Sequence, residues 1–150
     1  MSMKRLTFAA ALIALATACH SSTEPELTEI YMLMSIDGRP LPTTKTNAPS
    51  APVVVHENLA FDAEGVATRT TTTRGSNSSV ETVNVVSYEY TRAGSVVTLG
   101  NYICTSGFPC ALHAPEEGTI QNSVLTMTTV PSLSSPSGPV YVYQRVGPPD

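Results

Sequence analysis

The chain has 150 residues, with eight Lys and Arg against twelve Asp and Glu and a formal charge of −4. That acidic balance, without a basic cluster, excludes the phosphate contacts by which nucleic acids and anionic lipid heads are held. Trp is absent, Cys occurs three times, and the 41% hydrophobic content suffices for the core of one domain.

The first segment joins Lys4 and Arg5 to an apolar run from Leu6 to Ala16 and the small residues Ala16, Thr17 and Ala18. This is the layout of a signal peptide over residues 1–18. The run is about a dozen residues long, short of the roughly 20 that cross a bilayer as a helix. Cys19 stands at the cleavage point, so the segment resembles a bacterial lipoprotein precursor, in which that cysteine is lipidated and becomes the first residue. Ala16-Thr17-Ala18 also fits ordinary A-x-A cleavage, which would leave Cys19 a free thiol. Lipidation is the expectation, because an unpaired exposed thiol is a liability in an oxidising compartment. Loss of the leader removes Lys4 and Arg5, leaving six basic residues against twelve acidic ones and a charge of −6. Residues 19–27 are polar and read as a flexible tether to a lipid anchor.

Structure is expected from "LTEIYMLMSIDGRPLP". Ile30, Met32, Met34 and Ile36 alternate with Tyr31 and Leu33, the period of a strand. Asp37-Gly38 supplies a turn, and Pro40 and Pro42 end the pairing. A helix over the Met and Leu residues is the alternative, opposed by the β-branched ends. "VVVHENLAFDAEGVATRTTTTRG" reads as a hairpin turning at Asp62 to Gly65. The Thr run suits a half-exposed strand, so "TRTTTTR" is read as a solvated face rather than a binding motif.

An internal echo follows: "GSVVTL" from Gly94 aligns with "NSVLTM" from Asn122. Gly and Asn tolerate positive φ, which places each copy just past a tight hairpin turn. Val86, Tyr88 and Tyr90 share one face of the strand entering the first copy. The parity slips near Val83 to Val86, where a bulge is expected. In the closing "VYVYQRV", Tyr141 and Tyr143 share a face. Cys104 and Cys110 are an even pair once Cys19 is lipidated, and Thr-Ser-Gly-Phe-Pro between them can bring the sulfurs together. Such a disulfide would contribute about 2 kcal/mol. A metal site from Cys104, Cys110 and His113 is disfavoured by the five-residue spacing and the lack of a fourth ligand.

The strands fall near 29–36, 53–61, 66–73, 80–91, 95–102, 117–120, 123–130 and 139–146. An all-β domain over 28–147, with 148–150 as a tail, follows. Eight short antiparallel strands close as an up-and-down barrel, which removes exposed edges; a two-layer β-sandwich is the alternative. "YMLMSIDGRPLP" resembles the Y-x-L-x-S-[IV]-[DN]-G-x-P-L-P opening of small bacterial lipoproteins described as lipocalin-like. The order of "GSVVTL", a cysteine-bearing loop, "EEGTIQNSVLTM" and "VYVYQRV" is similar to theirs as well. The resemblance implies a barrel and a place in the bacterial cell envelope, on the periplasmic or outer-membrane face, and carries over no catalytic residue.

No nucleophile elbow, metalloprotease motif, phosphate loop or dinucleotide fingerprint occurs, so no enzyme, cofactor or metal is expected. Glu116 and Glu117 point to opposite strand faces, cannot share a substrate, and are assigned to solvent. The first functional expectation is a binding module for a small apolar ligand, with Tyr88, Tyr90, Tyr102, Tyr141 and Tyr143 as contacts. Against an internal cavity, roughly 24 inward side chains fill most of a barrel this size. The second expectation is an envelope scaffold or inhibitor-like module acting on a partner protein through its loops. A monomer held to the membrane by its lipid is expected in either case.

Overall fold

The computed structural model describes residues 27–104, 114–130 and 138–147. It contains ten strands: β1 (Leu27–Ile36), β2 (Arg39–Pro40), β3 (Thr43–Thr44), β4 (Val53–Asp62), β5 (Val66–Arg74), β6 (Glu81–Ala93), β7 (Val96–Tyr102), β8 (Glu116–Gln121), β9 (Val124–Thr129) and β10 (Tyr141–Arg145). β4 through β10 pair antiparallel in sequence order, and β1 pairs with both β10 and β4. The result is a closed, eight-stranded up-and-down barrel, with the two-residue strands β2 and β3 appended at β1 and β4. No helix occurs among the described residues. Closure removes the sandwich alternative, because a sandwich leaves sheet borders that β1 here joins.

Turn chemistry fixes the register. Asp37 and Gly38 both take positive φ, 52° and 75°, as the two central residues of a type I′ hairpin turn require. Asn122 and Ser123 do the same at 50° and 67°. Gly94 takes φ 62° in the corresponding turn of the first echo. Between β4 and β5 the Asp62 carboxylate accepts from the Glu64 and Val66 amides at 2.9 and 2.7 Å, and Gly65 closes the loop at φ 89°. The tight turns at Asp62–Gly65, Gly94 and Asn122–Ser123 gather at one end of the barrel; the Asp37–Gly38 turn does not, since Ile36 pairs with Tyr141 whereas Leu27, at the start of β1, meets Asp62. The longer connections, including the chain from Thr44 to Val53, gather at the other, which we call the mouth.

The inward face is continuous from strand to strand. Tyr31, Leu33, Leu59, Phe61, Ala67, Val97, Leu99, Leu125, Met127 and Tyr143 are all buried. Both echo pairs, Val97 with Leu99 and Leu125 with Met127, point inward as their spacing requires. In β1 the parity changes: Tyr31 and Leu33 are buried, Met34 is 54% exposed, and Ile36 is buried. A bulge between Leu33 and Ser35, opposite β10, accounts for it, since one extra residue reverses the faces beyond it. The bulge expected near Val83 to Val86 does not exist on the β5 side: β5 and β6 pair without a shift from Val66–Glu89 to Arg74–Glu81. Val83 and Val85 instead face outward and are exposed. The shift in β6 lies between Tyr88 and Tyr90, against β7.

Gly118 faces inward on β8, and a Cβ there would lie 2.7 Å from Met127 Cγ and 2.9 Å from Leu125 Cδ1. Its missing side chain lets both residues enter the core. Gly118→Ala is expected to cost about 1–3 kcal/mol by overpacking, despite Ala's lower backbone entropy. Urea unfolding measures it; a variant as stable as the parent would show that the two side chains can move aside.

Candidate functional site

The middle of the barrel is polar. Glu57 on β4, Arg69 on β5 and Glu116 on β8 are 0, 6 and 5% exposed. The Arg69 guanidinium makes a bidentate pair with Glu116, Nη1 donating to Oε1 at 2.9 Å and Nη2 donating to Oε2. This fork matches the carboxylate plane and is the strongest form of the pair. Nη1 also donates to the Tyr88 hydroxyl at 3.2 Å, and Nε lies 3.6 Å from Glu57 Oε1 without a hydrogen bond. Glu57 in turn accepts from three donors. The Tyr143 hydroxyl donates to Oε1 at 2.6 Å, and the Thr71 hydroxyl and Lys45 ammonium donate to Oε2 at 2.7 and 2.9 Å. Two cations thus meet two carboxylates, which is how buried charge is tolerated.

Aromatic rings wall this network. The Arg69 guanidinium lies 5.2 Å from the Tyr88 ring centre and 5.9 Å from that of Tyr141. Lys45 lies 5.3 Å from the Tyr141 centre, inside the range of a cation–π contact. The Lys45 side chain is 34% exposed and caps the network from the mouth.

Burial by itself would raise the Glu57 carboxyl, but the Lys45 and Arg69 charges and the Tyr143 and Lys45 hydrogen bonds outweigh it and hold it below its ordinary 4.5. Arg69 is held well above its ordinary value: burial opposes its charge, and the Tyr143 and Glu116 oxygens around it more than compensate. Burial pushes Tyr88 and Tyr141 up to about 12, and Tyr143 well above 10.

Two expectations from the sequence are corrected. "TRTTTTR" is not wholly a solvated face, since Arg69 and Thr71 within it continue the inward alternation of Ala67 and are buried. Glu116 is not in solvent; only Glu117, on the opposite face, is exposed. The signal for the first was present in the hairpin register, because the Asp62–Gly65 turn sets Phe61 opposite Ala67, Leu59 opposite Arg69 and Glu57 opposite Thr71. If Phe61 and Leu59 face the core, Glu57 and Arg69 must too.

Of the five tyrosines singled out, Tyr88, Tyr141 and Tyr143 surround Arg69. Tyr102 packs on Tyr88 with centroids 5.1 Å apart. Tyr90 stands apart near the tight-turn end, edge-on to Phe61 at 4.9 Å and donating to the Asp62 carbonyl at 2.7 Å. Cys104 is disulfide-bonded; Cys19 and Cys110 lie outside the described residues, as do the leader and most of the tether.

Among the described residues, two pockets lie along the barrel wall. One of about 560 Å³ lies on the outer face of the β8–β9 hairpin, against Glu117, Thr119, Gln121, Thr126 and Val140. The other, about 220 Å³, is at the mouth between Lys45, Thr46, Ala51, Pro52, Val54 and Thr73. No helix among the described residues is long and apolar enough to cross a membrane. The closed up-and-down ring is the architecture of lipocalin-like barrels. Set against family models, curated proteins and solved structures, the chain matches none.

Proposed function

We propose that this protein is a non-catalytic binding module of the bacterial cell envelope, a lipocalin-like lipoprotein held by a lipid on Cys19 and stabilised by a Cys104–Cys110 disulfide. Its contact with a ligand lies at the mouth rather than deep in the barrel. One observation carries this placement: charged and tyrosine side chains fill the centre below Lys45, where an apolar ligand would have to displace a satisfied ion network. The mouth joins long connections, a partly exposed cation and a small pocket, the features that fix a small molecule's orientation.

The test uses isotope-labelled mature protein titrated with polar and apolar small-molecule fractions of the native envelope. Amide shifts are expected at Lys45, Val54 and Thr73 and not at Phe61, Ala67 or Leu125. Shifts centred on the second group would replace the mouth by a deep site, and no shifts from any fraction would refute the binding module. For the anchor, Cys19→Ser is expected to move the protein from the membrane to the soluble exported fraction. Continued membrane association would contradict it.

A further inference from the structure

We propose that the mouth is a primary-amine site, occupied in this structure by the chain's own Lys45 as an intramolecular plug. The inference deepens the mouth-binding reading and rests on it. Lys45 sits on the connection from β3 to β4, not on the barrel. Its ammonium nevertheless makes the two contacts that recognise an organic ammonium: a hydrogen bond to the fully buried Glu57 carboxylate at 2.9 Å and a place 5.3 Å from the Tyr141 ring centre.

Charge counting shows why a cation belongs there. Arg69 is locked in its fork with Glu116, so withdrawal of Lys45 leaves three buried charges with a net of −1, centred on Glu57. Glu57 Oε1 is held by Tyr143 and Oε2 by Thr71, which leaves room for one further single-point donor on Oε2. A primary ammonium suits that vacancy, whereas a guanidinium needs two parallel acceptors. Among the described residues no three His, Cys, Asp or Glu side chains converge as metal ligands. Beside the ammonium, the 220 Å³ pocket between Thr46, Ala51, Pro52, Val54 and Thr73 offers space for a short alkyl tail.

The plug is also weakly tied. β3 contributes only two paired residues, Thr43 with Val54 and Thr44 with Val53. Beyond them, Arg39 holds the connection by bonds to the Thr44 carbonyl and the Asn47 side chain, at 3.1 and 3.2 Å. A segment with so few bonds opens locally at low cost. An external amine must compete with a tethered one, so its apparent affinity is reduced by the fraction of time that Lys45 is in place.

The experiment removes the plug and supplies a free amine. Lys45→Ala is expected to lower the melting temperature, and n-butylammonium chloride to raise it again in a saturable way. Its affinity for the variant is expected to be about ten-fold or more above that for the parent. n-Butanol reports the pocket's apolar contribution and sodium chloride the ionic strength, and neither is expected to restore the loss. Lys45→Ala with Glu57→Gln removes the acceptor charge and is expected to abolish the rescue. Equal stabilisation by n-butylammonium and n-butanol, or equal rescue with Glu57→Gln present, would overturn the amine site. If Lys45→Ala does not fold, Lys45→Gln in the same series gives the same comparison. Failure here with shifts still seen at Lys45, Val54 and Thr73 from envelope fractions would reject the amine and leave the mouth as the site of another ligand.

Discussion

Arg69→Met is expected to destabilise the barrel by about 3–5 kcal/mol, a large part of the 5–15 kcal/mol that holds a typical domain folded. Among the described residues, Arg69 is the one cation in contact with both Glu57 and Glu116, through its fork to Glu116 and its Nε at 3.6 Å from Glu57 Oε1. Methionine fills a similar volume but leaves the Glu116 carboxylate in a low-dielectric interior without that fork, and Lys45 alone near Glu57. The cost comes from the stranded charge rather than from lost attraction, because the intact pair repays little more than its own desolvation. A second substitution separates the two: Arg69→Met with Glu116→Leu removes both charges and is expected to recover most of the loss. Urea unfolding of the two variants measures this. A single variant within about 1 kcal/mol of the parent would mean that water already reaches the network.

Stability is expected to fall at both extremes of pH, for opposite reasons. The Glu57 carboxyl lies below 4.5 in the folded chain. The unfolded state therefore binds its proton first, and the contribution of Glu57 is complete above pH 4.5 and lost as the pH drops through the folded value. Tyr31, Tyr88 and Tyr141 behave in reverse. Their hydroxyls are pushed from 10 to about 12, foremost by burial, so the folded state keeps protons that the unfolded state has released. Their contribution is complete below pH 10 and lost between 10 and 12. Unfolding free energies across this range, followed together with tyrosinate absorbance, check both limbs. Tyrosines that ionise near pH 10 without unfolding would show that the interior is wet.

Most of the barrel was legible because its signals are local. Alternation marked the strands, and Asp37-Gly38, Gly94 and Asn122 marked turns whose positive φ only a few residues accept. The bulge at Leu33 to Ser35 was not legible, since it depends on how β10 meets β1 across more than a hundred residues. The same limit hid the site. Glu57 and Arg69 were within reach through the hairpin register, but residue type outweighed parity, and arginine among threonines reads as solvent-facing. Glu116 required the parity of Ile120 to be followed back through Gly118. Lys45 was beyond reach, because nothing in "TTKTNAPSAP" tells that this lysine turns into the mouth.

The most direct measurement is the titration of the Glu57 side-chain carboxyl, followed by its carbon chemical shift in the folded protein. A carboxylate that stays ionised below pH 4.5, and whose midpoint rises in Lys45→Ala, is the expected result for a group held between Lys45, Arg69 and Tyr143. A Glu57 that titrates at or above 4.5, indifferent to Lys45, would contradict the ion network and the plugged mouth together.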